Sequence, residues 1–561
     1  MLHYTTLRIQ SRFSSVLRFS ILSKFSRYAF VVILGLIVST KSTVASASVS
    51  EQAITFKKIA LTGDPAANVD NDTIFQRLTS PALNNSGQLA FLAWLTSADS
   101  NEDVKQGIFL NVGNVANQIV STGDIVQFAQ GEVKIQDIYA PVLNDLGQTA
   151  FAANFTYLPK ERRLHRGVFT VSNDTIQFLA RPDFQLFRGI TNLPPAFNDA
   201  GQVLFRASIT GGIRADGLAT MIGDEFRAVF IPGANVPGTQ LKSLGTFSDP
   251  RLNNAGQTVF SVGLTDPEVD RANDEGIFFE SDARLSLVAR TGDAAPGTEL
   301  GTTYSNFVSD PVLNDSGQIA FLADLSRTSA YSPLDTAIFV GTSDNVNLVA
   351  RTGDAVGAIS QHVRFSRILS PTINNGGDIA FSGVLQGSGI DISNNNGLFI
   401  KSEGNLRLVA QKGEAVPDTE LDVRFDWPSL PLLNDLGQVA FGAFLTGRDV
   451  DNTNNVGIFA TDRAGNLRQI ARKGDLFDVD PDPAVTDNRR IRFVRFPRDS
   501  QGSDGRPRSY NNSGQLALRL DFTDGTQGIF VALIGIPEPS TLILLGVGVV
   551  LHLGSHQKRV S

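Results

Sequence analysis

One eight-residue segment occurs eight times in the chain, and this repetition limits the folds that the chain can adopt. The first copy reads Asn-Asn-Ser-Gly-Gln-Leu-Ala-Phe at residues 84–91. The other copies lie at residues 144–151, 198–205, 253–260, 314–321, 374–381, 434–441 and 511–518. Their first asparagines are 60, 54, 55, 61, 60, 60 and 77 residues apart. Such a period predicts a repeat architecture in which each copy belongs to one supersecondary unit.

Each unit can be divided into four β-strands. Around the copy at 314–321 we predict strands at residues 285–290, 307–313, 318–325 and 337–340. The sequence Asn-Asp-Ser-Gly at 314–317 is typical of a tight turn, because asparagine bonds its own backbone and glycine accepts a positive φ. The third strand is apolar on both faces, so we expect it between two layers, with Phe321 in the core.

These units predict an all-β fold, an eight-bladed β-propeller of four-stranded antiparallel blades, over residues 48–535. A β-repeat solenoid is the alternative, but a solenoid needs polar capping units at its ends. We expect the Thr-Gly-Asp segments, such as 291–293, to cross between blades. Residues 53–60 would then complete the last blade beside residues 515–522 and 528–533, which closes the ring without a covalent bond.

The N-terminal residues 1–47 have the layout of a secretory signal peptide. They carry six basic residues, no acidic residue and an apolar run at 28–38. Ala45 and Ala47 form a small-residue cleavage site for a signal peptidase. The apolar run is shorter than the roughly 20 residues that span a bilayer, so a signal peptide is favoured over an anchor. We therefore expect the protein to be exported.

The C-terminal residues 536–561 resemble the PEP-CTERM sorting signal of Gram-negative bacteria. Pro537, Glu538 and Pro539 match the motif, an apolar stretch follows at 542–553, and Lys558 and Arg559 supply a basic end. The resemblance implies a tail that is held in the membrane as a helix and cut by an exosortase. It also implies a host that makes extracellular polysaccharide. A plain membrane anchor is the alternative interpretation.

The repeated octamer resembles a bacterial tandem-repeat family defined by the pattern NxxGxxAF, whose members carry various surface-anchoring C-termini. The resemblance covers roughly residues 51–535, although Leu204, Val259 and Leu518 depart from the pattern. It implies a place at the cell surface and a repeat fold, and no particular activity.

The composition leaves few residues for common catalytic sites. The chain has no cysteine, which excludes disulfides and thiolate chemistry, and its mature part has only His165 and His362, which we expect at the surface. No Gly-x-Ser-x-Gly elbow is present. We expect the Thr-Gly-Asp carboxylates to cap turns. Residues 48–561 carry 42 basic and 56 acidic residues, a formal charge of −14 that disfavours nucleic acid as a partner.

One acidic loop has the character of a calcium site. Asp449, Asp451, Asn452 and Asn454 place oxygen-bearing side chains within six residues, although the loop lacks the glycine and distal glutamate of an EF-hand. Residues 391–396 and 266–274 are looser versions. A solvated turn is the alternative, and no other cofactor is expected.

Taken with both termini, these features favour a non-enzymatic binding or structural protein of the cell envelope or extracellular space. The expected ligand is extracellular polysaccharide or another component of the matrix. A propeller hydrolase or lyase acting on glycans is the alternative, and it would need at least two carboxylates facing one pocket within about 10 Å.

Overall fold

The computed structural model describes residues 54–535, except for segments at 70–71, 98–104, 160–162, 181–186, 192, 210–215, 236–241, 327–334, 421, 483 and 496–507. The predicted signal peptide at 1–47 and the sorting tail at 536–561 lie outside the described residues. In the described part, no helix has the length and apolar character needed to cross a membrane.

The described chain forms eight antiparallel sheets, which are the blades of a β-propeller. The first strand is β1 (Thr55–Leu61). Blade 1 contains β2 (Thr73–Leu78), β3 (Ala82–Leu83), β4 (Leu89–Ser97), β5 (Lys105–Val112) and β6 (Val115–Ser121). Blade 2 contains β7 (Ile125–Phe128), β8 (Gly131–Ile138), β9 (Val142–Leu143), β10 (Thr149–Leu158), β11 (His165–Ser172) and β12 (Thr175–Ala180). Blade 3 contains β13 (Phe187–Ile190), β14 (Ala196–Phe197), β15 (Gln202–Ile209), β16 (Asp216–Ile222) and β17 (Glu225–Phe230).

The next three blades follow the same plan. Blade 4 contains β18 (Lys242–Phe247), β19 (Arg251–Leu252), β20 (Thr258–Thr265), β21 (Glu275–Ser281) and β22 (Arg284–Arg290). Blade 5 contains β23 (Thr303–Phe307), β24 (Val312–Leu313), β25 (Ile319–Ser326), β26 (Thr336–Thr342) and β27 (Asn345–Arg351). Blade 6 contains β28 (Val363–Ile368), β29 (Thr372–Ile373), β30 (Ile379–Gly387), β31 (Asn396–Ser402) and β32 (Asn405–Gln411).

The last two blades differ slightly from this plan. Blade 7 has one long inner strand, β33 (Arg424–Leu433), followed by β34 (Val439–Thr446), β35 (Val456–Thr461) and β36 (Leu467–Arg472). Blade 8 contains β37 (Leu476–Asp478), β38 (Asn488–Arg495), β39 (Gln515–Phe522) and β40 (Gln527–Leu533), and β1 pairs with β40 as its outer strand.

Blade 5 illustrates the order of strands. β23 and β24 both pair with one edge of β25, and β26 and β27 follow in sequence order. The short two-residue strands of successive blades contact one another, so this edge of each blade faces the axis. The prediction of a single strand at 307–313 is wrong. The pairing with β25 is interrupted at residues 308–311, where Pro311 has no N–H to donate.

The ring closes as the sequence predicts. Thr55 of β1 pairs with Leu533 of β40, and Lys58 pairs with Phe530. β39 lies on the other side of β40. The first and last parts of the propeller therefore share one sheet, and the solenoid alternative is excluded.

The turns of the repeated segment form a second closure around the axis. The first asparagine of each segment donates from Nδ2 to the carbonyl oxygen of the first asparagine in the next blade, over 2.9 to 3.0 Å. The circle is complete because Asn511 donates to Asn84. In a second circle, the second residue of each segment donates its backbone N–H to a side-chain oxygen of the second residue of the segment in the next blade. We call these two circles the turn ring.

The core lies between adjacent blades. The phenylalanine that ends the repeated segment is buried in seven copies, and Leu518 takes its place in the eighth. In blade 5, Phe321 stacks on Phe339 of the neighbouring strand, with ring centroids 5.5 Å apart. The side chains of Phe321 and Phe339 pack against Val259 and Ile277 of blade 4. The expected core role of this phenylalanine is confirmed.

Candidate functional site

The loops between the second and third long strands lie at the end of the blades opposite the turn ring, which we call the loop face. The loop at 449–455, in which we predicted calcium binding, joins β34 to β35 on this face. Asp451 Oδ1 accepts hydrogen bonds from the amide and the hydroxyl of Thr453, at 2.7 and 2.6 Å. Asn454 Nδ2 donates to the carbonyl oxygen of Asp449 over 2.9 Å. Asp449 and Asn452 are exposed.

The hydrogen bonds from Thr453 hold the pKa of Asp451 below its usual range. Asp391 has the same arrangement with Ser393 in blade 6, so these residues build a recurring turn. Calcium binding by Asp449, Asp451, Asn452 and Asn454 stays a prediction.

A basic groove lies beside this loop, at the boundary of blades 7 and 8. The groove has a volume of about 530 Å³. Its lining residues are Asn452, Thr453, Lys473, Arg490, Ile491, Arg492, Phe493 and Thr523. Two segments supply its cations: residue 473, just after β36, and the strand β38, which reads Asn-Arg-Arg-Ile-Arg-Phe-Val-Arg. We call this feature the basic groove.

Phe493 is the centre of the basic groove. The residue is 40% exposed, and three cations surround its ring: Lys473 at 5.7 Å, Arg492 at 5.2 Å and Arg495 at 5.3 Å from the ring centroid. Arg495 also pairs with Asp521 over 3.1 Å, whereas no described carboxylate pairs with Arg492. An aromatic ring among cations can contact both the apolar and the anionic parts of one ligand.

Arg490 combines a structural contact with its place in the groove. Its guanidinium donates to the carbonyl oxygen of Gly474, and Arg364 and Arg424 make the equivalent bonds to Gly353 and Gly413 at 2.8 and 2.9 Å. Each of these arginines therefore links a strand to the segment that connects two adjacent blades. Of the three, Arg490 lines the groove.

A second cavity, of about 490 Å³, lies between blades 4 and 5. Its walls carry the carboxylates of Asp274, Glu275 and Asp310, together with Ser248, Ser261 and Ser309. Glu275 accepts a hydrogen bond from the amide of Phe307 over 3.3 Å. Burial raises the pKa of Glu275, and the charge of Asp274 acts in the same direction. We call this cavity the carboxylate pocket.

A glycine makes room for the carboxylate pocket. Gly263 lies three residues after the repeated phenylalanine, Phe260. Blades 1, 2 and 5 have larger side chains at this position, namely Trp94, Asn154 and Asp324. Gly263 lines the pocket beside Glu275, its strand partner on β21, and contributes no side chain to it.

Two of the four Thr-Gly-Asp carboxylates, those of Asp354 and Asp124, act as turn caps, as expected. Asp354 Oδ2 accepts the amide N–H of Arg351, and Asp124 Oδ2 accepts that of Ser121, both at 2.8 Å. His362 is exposed, as predicted. His165 is half-buried instead, with its ring 5.7 Å from Phe155 and 5.1 Å from Tyr157, because β11 brings it beside these side chains.

Sequence analysis did not identify either the basic groove or the carboxylate pocket. The run of arginines at 489–495 was a usable signal, because the rest of residues 48–561 carries more acidic than basic residues. The sequence did not show that this run lies beside Lys473, because that proximity depends on how blade 8 packs on blade 7. Ala45, Ala47, Pro537, Glu538 and Pro539 lie outside the described residues.

The chain is similar to several solved structures, one of which is a β-propeller domain. It is 11% identical to the β-propeller domain of the trilobed protease from Pyrococcus furiosus, covering 72% of this chain and 99% of that chain with a TM-score of 0.37. It is 11% identical to an acylaminoacyl peptidase from Pyrococcus horikoshii, covering 71% of this chain and 52% of that chain with a TM-score of 0.35. It is 12% identical to an α-L-arabinanase from Penicillium chrysogenum, covering 73% and 99% with a TM-score of 0.26.

These similarities concern the fold alone. No curated protein matches the chain. A family model described as a family of unknown function, DUF7453, matches residues 8–329 and 286–543, which is most of the chain. The chain therefore belongs to the DUF7453 family.

Proposed function

We propose that this protein is an exported, non-enzymatic β-propeller that binds an anionic polysaccharide of the cell envelope or matrix. The basic groove is the observation that carries the proposal. Lys473, Arg490 and Arg492 gather around the exposed ring of Phe493 in a body whose formal charge is −14. An acidic body repels a polyanion, so attraction at one basic groove would restrict where such a polymer binds.

The chemistry of the groove favours a sugar acid polymer over a neutral glycan. Arginine guanidinium groups recognise carboxylate or sulfate groups, and an aromatic ring packs on the apolar face of a sugar. A neutral glycan would use the ring but would offer no anionic group to Lys473, Arg490 and Arg492. The salt dependence of binding therefore distinguishes the two ligand classes.

The test measures binding of the full chain, in detergent, to polygalacturonate and to dextran as a neutral control. We expect binding to polygalacturonate that weakens as salt is raised, and little binding to dextran. The double variant Arg490→Ala/Arg492→Ala should lose at least about tenfold in affinity, since two charge-assisted contacts are removed.

Arg364→Ala is the matched control for the loss of the hydrogen bond between Arg490 and Gly474. It breaks the same kind of bond to a crossing segment, in blade 6 and away from the groove. We expect it to bind like the natural protein. Equal binding of polygalacturonate and dextran, or full binding by the double variant, would contradict the proposal.

The placement at the envelope rests on the two ends of the sequence. Ala45 and Ala47 precede the cleavage point, and Pro537, Glu538 and Pro539 form the sorting motif. The processing partners are a signal peptidase and an exosortase-type enzyme, with the tail holding the protein in the membrane until it is cut. Mass spectrometry of protein recovered outside the inner membrane should find an N-terminus at Ser48 and a C-terminus near the sorting motif. Recovery of the intact chain from the cytoplasm would reject export.

Calcium binding at Asp449 and Asp451 is a separate proposal. It concerns the loop at 449–455, which borders the basic groove. Isothermal titration of calcium into the full chain, compared with Asp449→Asn/Asp451→Asn, tests it directly. We expect heat of binding that the double variant lacks. Identical titrations would remove calcium from the proposal.

The carboxylate pocket supports glycan hydrolysis as a second candidate function. It combines Glu275, whose pKa is raised by burial, with the carboxylates of Asp274 and Asp310 in one cavity. A carboxyl that remains protonated can give a proton to a leaving sugar oxygen while a second carboxylate activates water. Release of reducing ends from polysaccharide that Glu275→Gln abolishes would establish the activity. Equal release by natural protein and variant would assign it to a contaminant.

A further inference from the structure

Two aromatic side chains in the strands of blade 7 are exposed near the end of the blade that carries the loop face. Trp427 of β33 and Phe444 of β34 are directly paired across the sheet, and they are 36% and 52% exposed. Directly opposed residues of an antiparallel pair point to the same side of the sheet. The two side chains therefore project from the same side of blade 7, and we call them the aromatic pair.

Other blades use this position differently. In blade 1, the guanidinium of Arg77 lies 4.6 Å from the ring of its strand partner Trp94. In blade 5, Asn306 donates to its partner Asp324 over 3.2 Å. Blade 7 instead presents two apolar rings to solvent, which costs hydrophobic free energy unless a ligand covers them.

The aromatic pair lies on the side of blade 7 that faces blade 8. Phe441 points to blade 6, because it packs with Ala380 and Leu398. Side chains alternate along a strand, so Phe444, three residues later, points the other way. Its other strand partner is Val456, and Ile458 on the same strand and face packs in the core between blades 7 and 8.

The aromatic pair and the basic groove meet through Lys473. The amide of Lys473 donates to the carbonyl oxygen of Val456 over 2.9 Å, and its ammonium lies 5.7 Å from the ring of Phe493. Trp427, Phe444, Val456 and Lys473 thus follow one row across blade 7 that ends at the groove. One extended ligand can contact both surfaces.

We propose that Trp427 and Phe444 form a stacking subsite for a sugar ring of the same anionic polysaccharide whose acidic groups bind in the basic groove. This inference rests on the proposed function. The aromatic pair supplies apolar contact for the C–H face of a sugar, and the groove supplies charge. The occupant is a polymer of sugar acids, because the row leads from the two aromatic side chains to Lys473 and to the arginines of the basic groove.

Intrinsic fluorescence offers a direct test, because Trp94 and Trp427 are the only tryptophans in the sequence. In the full chain carrying Trp94→Phe, all tryptophan emission comes from Trp427. Addition of polygalacturonate should shift this emission to shorter wavelength, since a bound sugar removes water from the ring. An unchanged spectrum at saturating polymer would overturn the inference.

Affinity measurements separate the subsite from the groove. Phe444→Ala should weaken polygalacturonate binding about 3- to 10-fold and leave its salt dependence unchanged, because the ring carries no charge. Arg490→Ala/Arg492→Ala should weaken binding and also reduce the salt dependence. Leu436→Ala, a 55% exposed apolar residue in the turn ring of the same blade, is the control and should have no effect.

The outcomes are distinguishable. If Phe444→Ala binds like the natural protein while the arginine variant does not, the subsite is rejected and the proposed function stands. If the natural protein does not bind polygalacturonate at all, both are rejected.

Discussion

At the residue scale, the repeated phenylalanine is a buried core residue of its blade. Phe321 is fully buried between the sheets of blades 4 and 5 and contacts Tyr304, Phe307 and Phe339. Phe321→Ala should destabilise the fold by roughly 3 to 5 kcal/mol, because it leaves a cavity that the rigid sheets cannot fill. Chemical denaturation measures this loss. A variant that keeps its denaturation midpoint and loses a ligand would show that Phe321 is a binding residue.

Glu275 gives a pH dependence at the same scale. Its folded-state pKa is raised by burial, so folding favours the protonated form. Its contribution to stability is therefore present below the unfolded value of about 4.3 and is lost as pH rises through the folded value. Glu275→Gln keeps an acceptor for the amide of Phe307 without this loss. As the pH is raised from about 4 to about 8, the natural protein should therefore lose free energy of unfolding relative to the variant, measured by urea denaturation at both pH values. The same difference at both pH values would contradict the assignment.

At the element scale, the turn of the repeated segment demands glycine for two reasons. Gly317 has a φ of +76°, and a Cβ there would lie 2.9 Å from Oε1 of Gln257 in the preceding blade. That oxygen is already held by Asn253 Nδ2 over 2.7 Å. Gly317→Ala should therefore lose about 1 to 2 kcal/mol from backbone strain and a further amount from the disturbed Asn253–Gln257 bond.

Gly404 is the matched control for the backbone term. Its φ is +82°, and a Cβ there would meet no atom within 4 Å. Gly404→Ala should show the strain alone. In a Gln257→Ala background, Gly317→Ala should cost the same as Gly404→Ala. If Gln257→Ala does not reduce the destabilisation caused by Gly317→Ala, the excess destabilisation arises from another contact in the turn.

At the scale of the whole molecule, closure depends on β1, which pairs with β40 more than 450 residues away in the sequence. The chain has no cysteine, so an introduced pair reports this contact alone. Thr55→Cys/Leu533→Cys should form a disulfide on oxidation, because opposed strand residues have Cβ atoms about 4.5 to 5.5 Å apart. Mobility on a non-reducing gel detects the link.

Thr55→Cys/Asp524→Cys is the control, since Asp524 lies in the turn at the far end of β40. This second pair should stay reduced. A folded protein in which neither pair forms would reject closure by the N-terminal strand.

Much of the fold follows from the sequence alone. The spacing of Asn314 and its seven counterparts determined the number of blades, and the Asn-x-x-Gly pattern determined where chains turn, because turn geometry depends on adjacent residues. The doubly apolar strand around Phe321 identified the core for the same local reason. The register of β1 on β40 needed the structure, and so did the break at Pro311, because both depend on hydrogen bonds to distant strands.

The sites are properties of the tertiary structure. Lys473 and Phe493 meet because blade 8 packs on blade 7, and Glu275 reaches Phe307 because blade 5 packs on blade 4. The turn ring likewise joins asparagines that are 54 to 77 residues apart, and finally Asn511 to Asn84. Local sequence determines each turn and strand, but only the packing of finished blades sets the distances between side chains on different blades. That physical difference explains why the sequence predicted the propeller and the structure was needed to locate the groove, the pocket and the aromatic pair.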